Sequence, residues 1–346
     1  MAANLLSLSK EDLERRVVAA GGRPFHARVV RERVLAAGVL DYAAMTSLPE
    51  DLRRRLAAEV PLLAAEQREQ ALAADGTTRL LLSFPSAEGP PASVETVYIP
   101  PRSARSRRGA TLCVSTQVGC PVACPFCASG RAGLQRNLAP HEIIEQFLRG
   151  RALGPVSRAV VMGIGEPFLN MPALLAALEC VREPFELGAR SVTVSTVGFP
   201  GRLRRLAPER PPFQLAISLH TPFDEQRAQL VPAMRGTPVE DVLAAGDDWF
   251  ERTGREVTYE IVLLAGVTDT REHATALAAR LVSRRCSVNL IPFNAVEASG
   301  FRRPDPASVE AYRVRLADAG LVATVRHSRG AGSDAACGQL RLRTLS

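Results

Sequence analysis

The alternation of apolar and polar positions divides the chain into a short helical part and a longer part in which strands and helices take turns. Leu13, Val17 and Val18 recur at helical spacing, and Val30, Val34 and Leu35 repeat the pattern. The Gly21-Gly22 pair and Pro24 mark the turn between these two helices. After Gly76, residues 78–84 and 93–99 read as a hairpin, joined through the Pro- and Gly-bearing stretch 85–91. From Thr111 onward six apolar strand-like runs (111–116, 158–163, 191–196, 213–219, 257–264 and 287–293) alternate with helix-like ones. That rhythm predicts an α/β chain with a parallel sheet, either doubly wound or a partial barrel. In both architectures ligands gather where the strands end. Those ends carry residues 117–127 and 163–167, then Ser195-Thr196, Ser218-Leu219-His220 and Pro292-Phe293-Asn294. The expected organisation is a helical accessory module over 1–60, a hairpin and linker over 61–100, a core over 101–335 and a C-terminal segment over 336–346.

Composition narrows the class. With 346 residues, 46% of them hydrophobic, the chain can build a real core, which excludes a small disulfide-stapled scaffold. The longest apolar stretches, such as 261–267, fall far short of the ~20 residues of a bilayer span. Ser9-Lys10-Glu11-Asp12 stands where a signal peptide would need an apolar run, so a cytoplasmic location is expected. Charge is concentrated. Between Pro101 and Val160, nine arginines (102, 105, 107, 108, 131, 136, 149, 151 and 158) meet only Glu142 and Glu145, an excess equal to the whole chain's net charge of +7. A solvated surface would look the same, but the run surrounds the main cysteine cluster, which points to a polyanion such as RNA approaching a reactive site. Arg102, Arg105, Arg107 and Arg108 are the candidate phosphate contacts.

Seven cysteines in a reducing compartment point to metal binding or catalysis rather than to disulfides. Cys180, within the helical spacing of Leu174, Leu175, Leu178 and Val181, and Cys286, at a strand start, read as buried small hydrophobes. Cys120, Cys124 and Cys127 form a C-x3-C-x2-C loop after the first parallel strand. Three thiolates so spaced can hold three corners of a cuboidal iron-sulfur cluster and leave the fourth iron open. A closed zinc site would want a second ligand pair, and no second C-x2-C exists.

This loop, with Phe126 before its last cysteine and Gly163-Ile-Gly165-Glu166-Pro167 after the next strand, resembles the radical-SAM superfamily. The resemblance narrows with the 111–120 run through Cys113, Arg136-Asn137-Leu138, the Leu215-to-His220 run, Asn289-Leu-Ile-Pro-Phe-Asn294 and Ala335-Ala-Cys337-Gly-Gln-Leu340. With Phe25 and Val94-Glu95-Thr96-Val97, these motifs are similar to those of the RlmN/Cfr family of radical-SAM RNA adenine methyltransferases.

That resemblance implies a partial (β/α)6 radical-SAM barrel with a small N-terminal helical module and a β-hairpin extension. It implies one [4Fe-4S] cluster on Cys120, Cys124 and Cys127, and two molecules of S-adenosylmethionine per turnover. Cys337, in the C-terminal segment, becomes the S-methylcysteine intermediate, and a deoxyadenosyl radical takes hydrogen from that methyl group. The resulting carbon radical adds to carbon-2 of an adenosine in 23S ribosomal RNA, with transfer RNA as a further substrate class. A radical route suits the chemistry, because that ring carbon has no lone pair with which to displace a methyl group. Glu95 is implied as proton acceptor, and Cys113 as the resolving thiol that forms a transient disulfide with Cys337. Gly165, Glu166, Ser195, Ser218, Leu219, His220 and Asn294 are implied to hold the cofactor. An electron donor such as flavodoxin, and a monomeric enzyme, complete the expectation.

The chain departs from the family pattern at Val197, where a second serine is usual, at Phe293, where a tryptophan is usual, and at Gly332-Ser333, where an acidic-aliphatic pair is usual. These departures leave methylation of carbon-8 as the alternative, beside a radical enzyme acting on another RNA or a non-RNA substrate and a non-enzymatic metal-bearing RNA-binding module.

Overall fold

Ser9 opens the first helix, α1 (Lys10–Ala19), where its hydroxyl accepts the Asp12 N–H at 3.0 Å and satisfies one of the orphan donors of the first turn. Leu13 and Val17 of α1 are buried with Ala27, Val30 and Val34 of α2 (Pro24–Leu35), and α3 (Glu50–Glu59) adds Leu52 and Leu56. Val18, expected on the same stripe, is 49% exposed. One step of ~100° past Val17 carries it off the buried side. The computed structural model describes residues 3–86, 91–101, 103, 109–326, 329–330 and 335–340.

Ten strands form one sheet. Its first four, β1 (Glu66–Leu72), β2 (Thr78–Phe84), β3 (Ala92–Ile99) and β4 (Ala110–Cys113), are antiparallel neighbours. β2 and β3 are the expected hairpin, and they continue the core sheet rather than standing apart from it. β1 is a polar edge strand that the apolar pattern does not announce. β5 (Gln117–Gly119) and β6 (Leu134–Asn137) pair separately beside the cysteine loop. The remaining strands, β7 (Val156–Val161), β8 (Val192–Thr196), β9 (Gln214–Ser218), β10 (Val257–Leu263), β11 (Cys286–Pro292) and β12 (Val322–Val325), follow β4 in chain order, all parallel. A doubly wound sheet reverses its strand order midway. This one does not, so the connections wind in a single direction and the sheet is a partial barrel with an inner side left for ligands.

The outer layer comprises α4 (Pro140–Leu153), α5 (Met171–Arg182), α6 (Pro200–Leu206), α7 (Asp224–Leu230), α8 (Val239–Thr253), α9 (Arg271–Leu281) and α10 (Pro306–Asp318). The stripe Val239, Val242, Leu243, Ala245 and Trp249 buries α8, with the Trp249 indole stacked on Phe213 at 5.8 Å. None of the described helices is long and apolar enough to cross a membrane.

The helical module is tied to the barrel through α4. The Glu145 carboxylate accepts the Ala64 and Ala65 N–H groups at 2.7 and 3.1 Å, Arg149 pairs with Glu145, and Arg151 donates to the Leu35 and Ala36 carbonyls. Arg136 pairs with Glu142, and Arg131 donates to the Glu297 carbonyl. Four of the nine arginines of the basic stretch therefore serve the fold. Arg102, Arg105, Arg107 and Arg108 lie outside the described residues. Cys180 is half-buried rather than core, with the Arg31 guanidinium 3.8 Å from its sulfur, and Cys286 is half-buried too.

Candidate active site

The cysteine loop is built on a turn that tolerates only glycine. Gly119 ends β5 at φ +76, and a Cβ there would lie 1.9 Å from the Gly133 carbonyl oxygen. That close approach lets Cys120 N–H donate to Gly133 at 3.0 Å and sets the loop over the strand ends. Cys120, Cys124 and Cys127 line one cavity of about 160 Å³. Burial pushes the Cys120 thiol up to about 12 and Cys124 well above its ordinary value, and the nearby Cys127 and Glu166 add to both. Thiolates crowded in this way are stable together when a cationic centre compensates, which is what the irons of a cluster provide. Among the described residues no three His, Cys, Asp or Glu side chains converge as a single metal ion needs. A cuboidal cluster asks instead for thiolates spaced around a cage. The donor set fits a [4Fe-4S] cluster.

The same cavity is lined by Gly165, Glu166, Ser195, Ser218, His220 and Asn294. Gly165, at φ +114, packs where a Cβ would meet Gln117 at 2.7 Å, and the Gln117 side-chain oxygen accepts the Glu166 N–H at 2.7 Å. The Glu166 carboxylate accepts the Phe168 and Val197 N–H groups at 3.0 and 2.9 Å, yet burial still raises it to about 7. Val197 makes this contact, and accepts Arg227 at 2.6 Å, through its backbone alone, so the departure from serine leaves both bonds intact. Ser195 and Ser218 hydroxyls are 3.2 Å apart. His220, left-handed at φ +69, accepts the Val262 N–H on Nδ1 at 3.3 Å and meets Phe126 edge-on. Burial, with Arg227 nearby, pushes it down to about 3, so it is neutral and its Nε2–H is a donor. Leu219 does not line the cavity. It is buried, and its N–H donates to the Glu260 carbonyl. Phe293 keeps an aromatic ring at the wall, edge-on to Phe301.

A second cavity of about 560 Å³ adjoins the first, with Met162, Ile291, Arg326, Cys337 and Leu340 lining both. Cys337 thus stands at the junction. Its segment is docked by the Asn294 side-chain amide, which donates to the Cys337 carbonyl at 3.0 Å, and by Ala128 N–H and the Ser129 hydroxyl, which donate to Gly338 and Leu340. Asn294, implied as a cofactor contact, therefore also holds the cysteine segment. Cys113 lines the second cavity, its thiol raised by burial to about 12 and opposed by the Arg326 cation. Cys337 is exposed at the junction, yet the protein packed around its sulfur likewise raises its thiol, again against Arg326, and both cysteines are free thiols. Gly332 and Ser333 lie outside the described residues.

Glu95 stands apart from both linings. It is fully buried in β3 and paired with Arg79 at 2.5 Å, although Val97, two residues on and on the same side of the strand, packs with Cys113. Sequence reasoning missed three groups. Arg326 lies near both cysteines, while Glu260 faces the cofactor cavity, held by Asn289 at 3.1 Å, and Gln117 fixes the Glu166 backbone. Glu260 sits in the middle of an apolar run, and that break in the pattern is the one signal that could have revealed it.

The radical SAM superfamily model matches residues 114–278, and the model of the ribosomal RNA large subunit methyltransferase N-terminal domain matches residues 3–61. A probable dual-specificity RNA methyltransferase RlmN of Gloeobacter violaceus is 40% identical over 351 residues, covering 100% of this chain and 97% of its own. A protein of the same description from a Synechococcus strain is 41% identical, covering 99% of each chain. The crystal structure of a radical SAM methyltransferase from Sphaerobacter thermophilus matches with a TM-score of 0.87 and 38% identity, over 98% of this chain and 99% of that one. With a cysteine loop and partial barrel of this kind, and full-length relatives at this identity, the chain belongs to the RlmN/Cfr family of radical-SAM RNA methyltransferases, which work with a [4Fe-4S] cluster and S-adenosylmethionine.

Proposed function

We propose that this enzyme methylates carbon-2 of an adenosine in 23S ribosomal RNA through a methyl group carried on Cys337, and that transfer RNA is a second substrate. The observation that carries this reading is the position of Cys337 at the junction of the two cavities, with the cluster cysteines on one side and Cys113 on the other. The description of the N-terminal family model supports ribosomal RNA, and the relatives' dual specificity supports a second RNA class.

In this reading S-adenosylmethionine supplies the methyl group and, with an electron delivered through the cluster, the power to abstract hydrogen. Cys120, Cys124 and Cys127 hold the cluster. Glu166, Ser195, Ser218, His220 and Asn294 orient the cofactor, Gly165 leaves it room, and Leu219, behind the cavity, holds the His220 turn through its backbone bonds to Glu260 and Arg227. Cys337 loses its proton when its sulfur takes the methyl group. Release requires Cys113, as thiolate, to attack the Cys337 sulfur. The sulfur-carbon bond to the base breaks, its electron pair goes to the departing carbon, which takes a proton from solvent to become the methyl group, and a disulfide remains for an external reductant to open. Arg326 favours both thiolates. Glu95 takes the ring proton, for which it must exchange its Arg79 pairing for the substrate. The enzyme acts in the cytoplasm as a monomer with a flavodoxin-like electron donor.

The test is mass spectrometry of unmodified 23S ribosomal RNA transcript after incubation with reconstituted enzyme. 2-Methyladenosine is expected; 8-methyladenosine, or no methylated adenosine, overturns the reading.

A further inference from the structure

The larger cavity does not end at the cysteines. Its lining runs down the inner side of β7 through Met162, Val160 and Arg158, and down β8 through Thr193 and Ser191 to Arg190. Alternate residues of a strand share one side, so this is the barrel interior read from the C-terminal strand ends to the N-terminal ones. Four residues of strand separate Met162 from Arg158, roughly 13 Å at ~3.3 Å per residue. Gly109 and Thr111, at the start of β4, line the same far end. A filled barrel would carry apolar side chains here. This one carries Thr111, Arg158, Ser191, Thr193 and Arg190, and no carboxylate among its described lining residues.

The two arginines at that rim are exposed and unneutralised. Arg329, also in the lining, is paired with Asp75, but Arg158 and Arg190 have no carboxylate within ion-pair distance among the described residues. Arg158 is on β7 and Arg190 is in the turn that leads into the neighbouring β8, where Ala159 N–H donates to the Ser191 carbonyl at 2.8 Å. Of the described arginines in the basic stretch, Arg158 is the one with no hydrogen-bond or ion-pair partner among the described residues. A pair of guanidinium groups at the mouth of a cavity of about 560 Å³, an ordinary size for a ligand site, suits anionic oxygens arriving from outside.

We propose that the RNA enters the barrel at the end opposite the cluster, with Arg158 and Arg190 each holding a backbone phosphate next to the adenosine that reaches Cys337. This inference rests on the RNA methyltransferase reading. It separates the routes by charge: the cofactor lies at one end among Glu166, Glu260 and the cluster thiols, and the polyanion comes from the other, where the described lining residues include no carboxylate.

The test compares the cluster-loaded enzyme with the Arg158→Gln/Arg190→Gln double variant, following binding of an unmodified 23S ribosomal RNA transcript by fluorescence anisotropy over a series of salt concentrations. Each lost phosphate contact lowers the slope of log affinity against log salt by about 0.7 to 0.9, so the slope should fall by about 1.4 to 1.8, with affinity near 0.1 M salt reduced on the order of tenfold or more. Arg252→Gln/Arg271→Gln, which removes the same charge from the outer helices, should leave the slope within experimental error. Iron content and thermal midpoint equal to those of the unaltered enzyme establish that the double variant is folded. An unchanged slope, or an equal fall in the outer-helix control, overturns the entry route. Failure of the unaltered enzyme to methylate this transcript overturns the methyltransferase reading, whatever the slopes show.

Discussion

The two cavities share five residues and little chemistry. The smaller is bounded by strand ends and the cysteine loop, and several of its polar groups are already committed: Glu166 to two backbone N–H groups, His220 Nδ1 to Val262, Ser195 to Ser218. The larger is lined by strand interiors, with two arginines that have no carboxylate partner among the described residues. A site for a compact zwitterionic cofactor gains from such prior order, because nothing must reorganise on binding. A site for a long polyanion gains from uncommitted charge and an open end. Cys337 belongs to both, and that explains why a residue carried by the C-terminal segment is held from the barrel side by Asn294 and from the loop side by Ala128 and Ser129.

The largest expected effect lies wholly in the smaller cavity. Replacing Cys120, Cys124 or Cys127 by alanine should abolish reductive cleavage of S-adenosylmethionine while leaving RNA binding in place, measured by iron content and anaerobic turnover. Full iron with unchanged cleavage would erase the distinction between the two sites. Next come the junction residues. Cys337→Ala should yield only free RNA, whereas Cys113→Ala should permit methyl loading and addition but not release, so that RNA accumulates covalently attached to the protein on denaturing gels. A Cys113→Ala enzyme that releases methylated product at the normal rate would falsify its role as resolving thiol.

Asn294→Ala should act more mildly, through the loss of one hydrogen bond worth about 1 kcal/mol. Methylation of Cys337, followed by intact-protein mass spectrometry, should slow several-fold with the cluster retained; an unaltered rate would leave Asn294 without influence on the docked segment. The smallest effect concerns His220. Its folded value near 3 lies below its ordinary value of 6.5, so the unfolded chain binds the proton first as pH falls. Its contribution is present above about 6.5 and is lost progressively toward 3. His220→Asn, chosen because asparagine tolerates the left-handed backbone, should flatten the stability curve across that window in denaturant titrations of the cluster-free protein. A curve of unchanged steepness would mean the imidazole is not held neutral there.

Much of the fold was legible because six of the seven parallel strands are short apolar runs bounded by turn residues, only the four-residue edge strand β12 going unannounced. All six runs appear as strands, within one to three residues at their ends. β1 escaped because an edge strand exposed to solvent has no apolar side to show, and Val18 was misplaced because a helical stripe drifts by the odd residue. The cysteine loop was legible since its ligands are neighbours in sequence. Its support was not: Gln117 and Arg227 look like ordinary polar residues until the fold sets them against Glu166 and Val197.

The sequence by itself determined the chemistry that depends on local spacing: the triplet of thiols, the turn of Gly165 and Glu166, and the alternation that demands a parallel sheet. Only the tertiary structure decided that the sheet winds in one direction, that four arginines of the basic stretch serve the fold while Arg158 does not, that Glu95 is paired with Arg79, and that Cys113 and Cys337 line one cavity. The physical reason is range. Periodicity and ligand spacing are written within a few residues. Ion pairing and cavity lining depend on side chains that come together only when distant strands are brought into register, and on the burial that then fixes which charges are satisfied and which remain for a ligand.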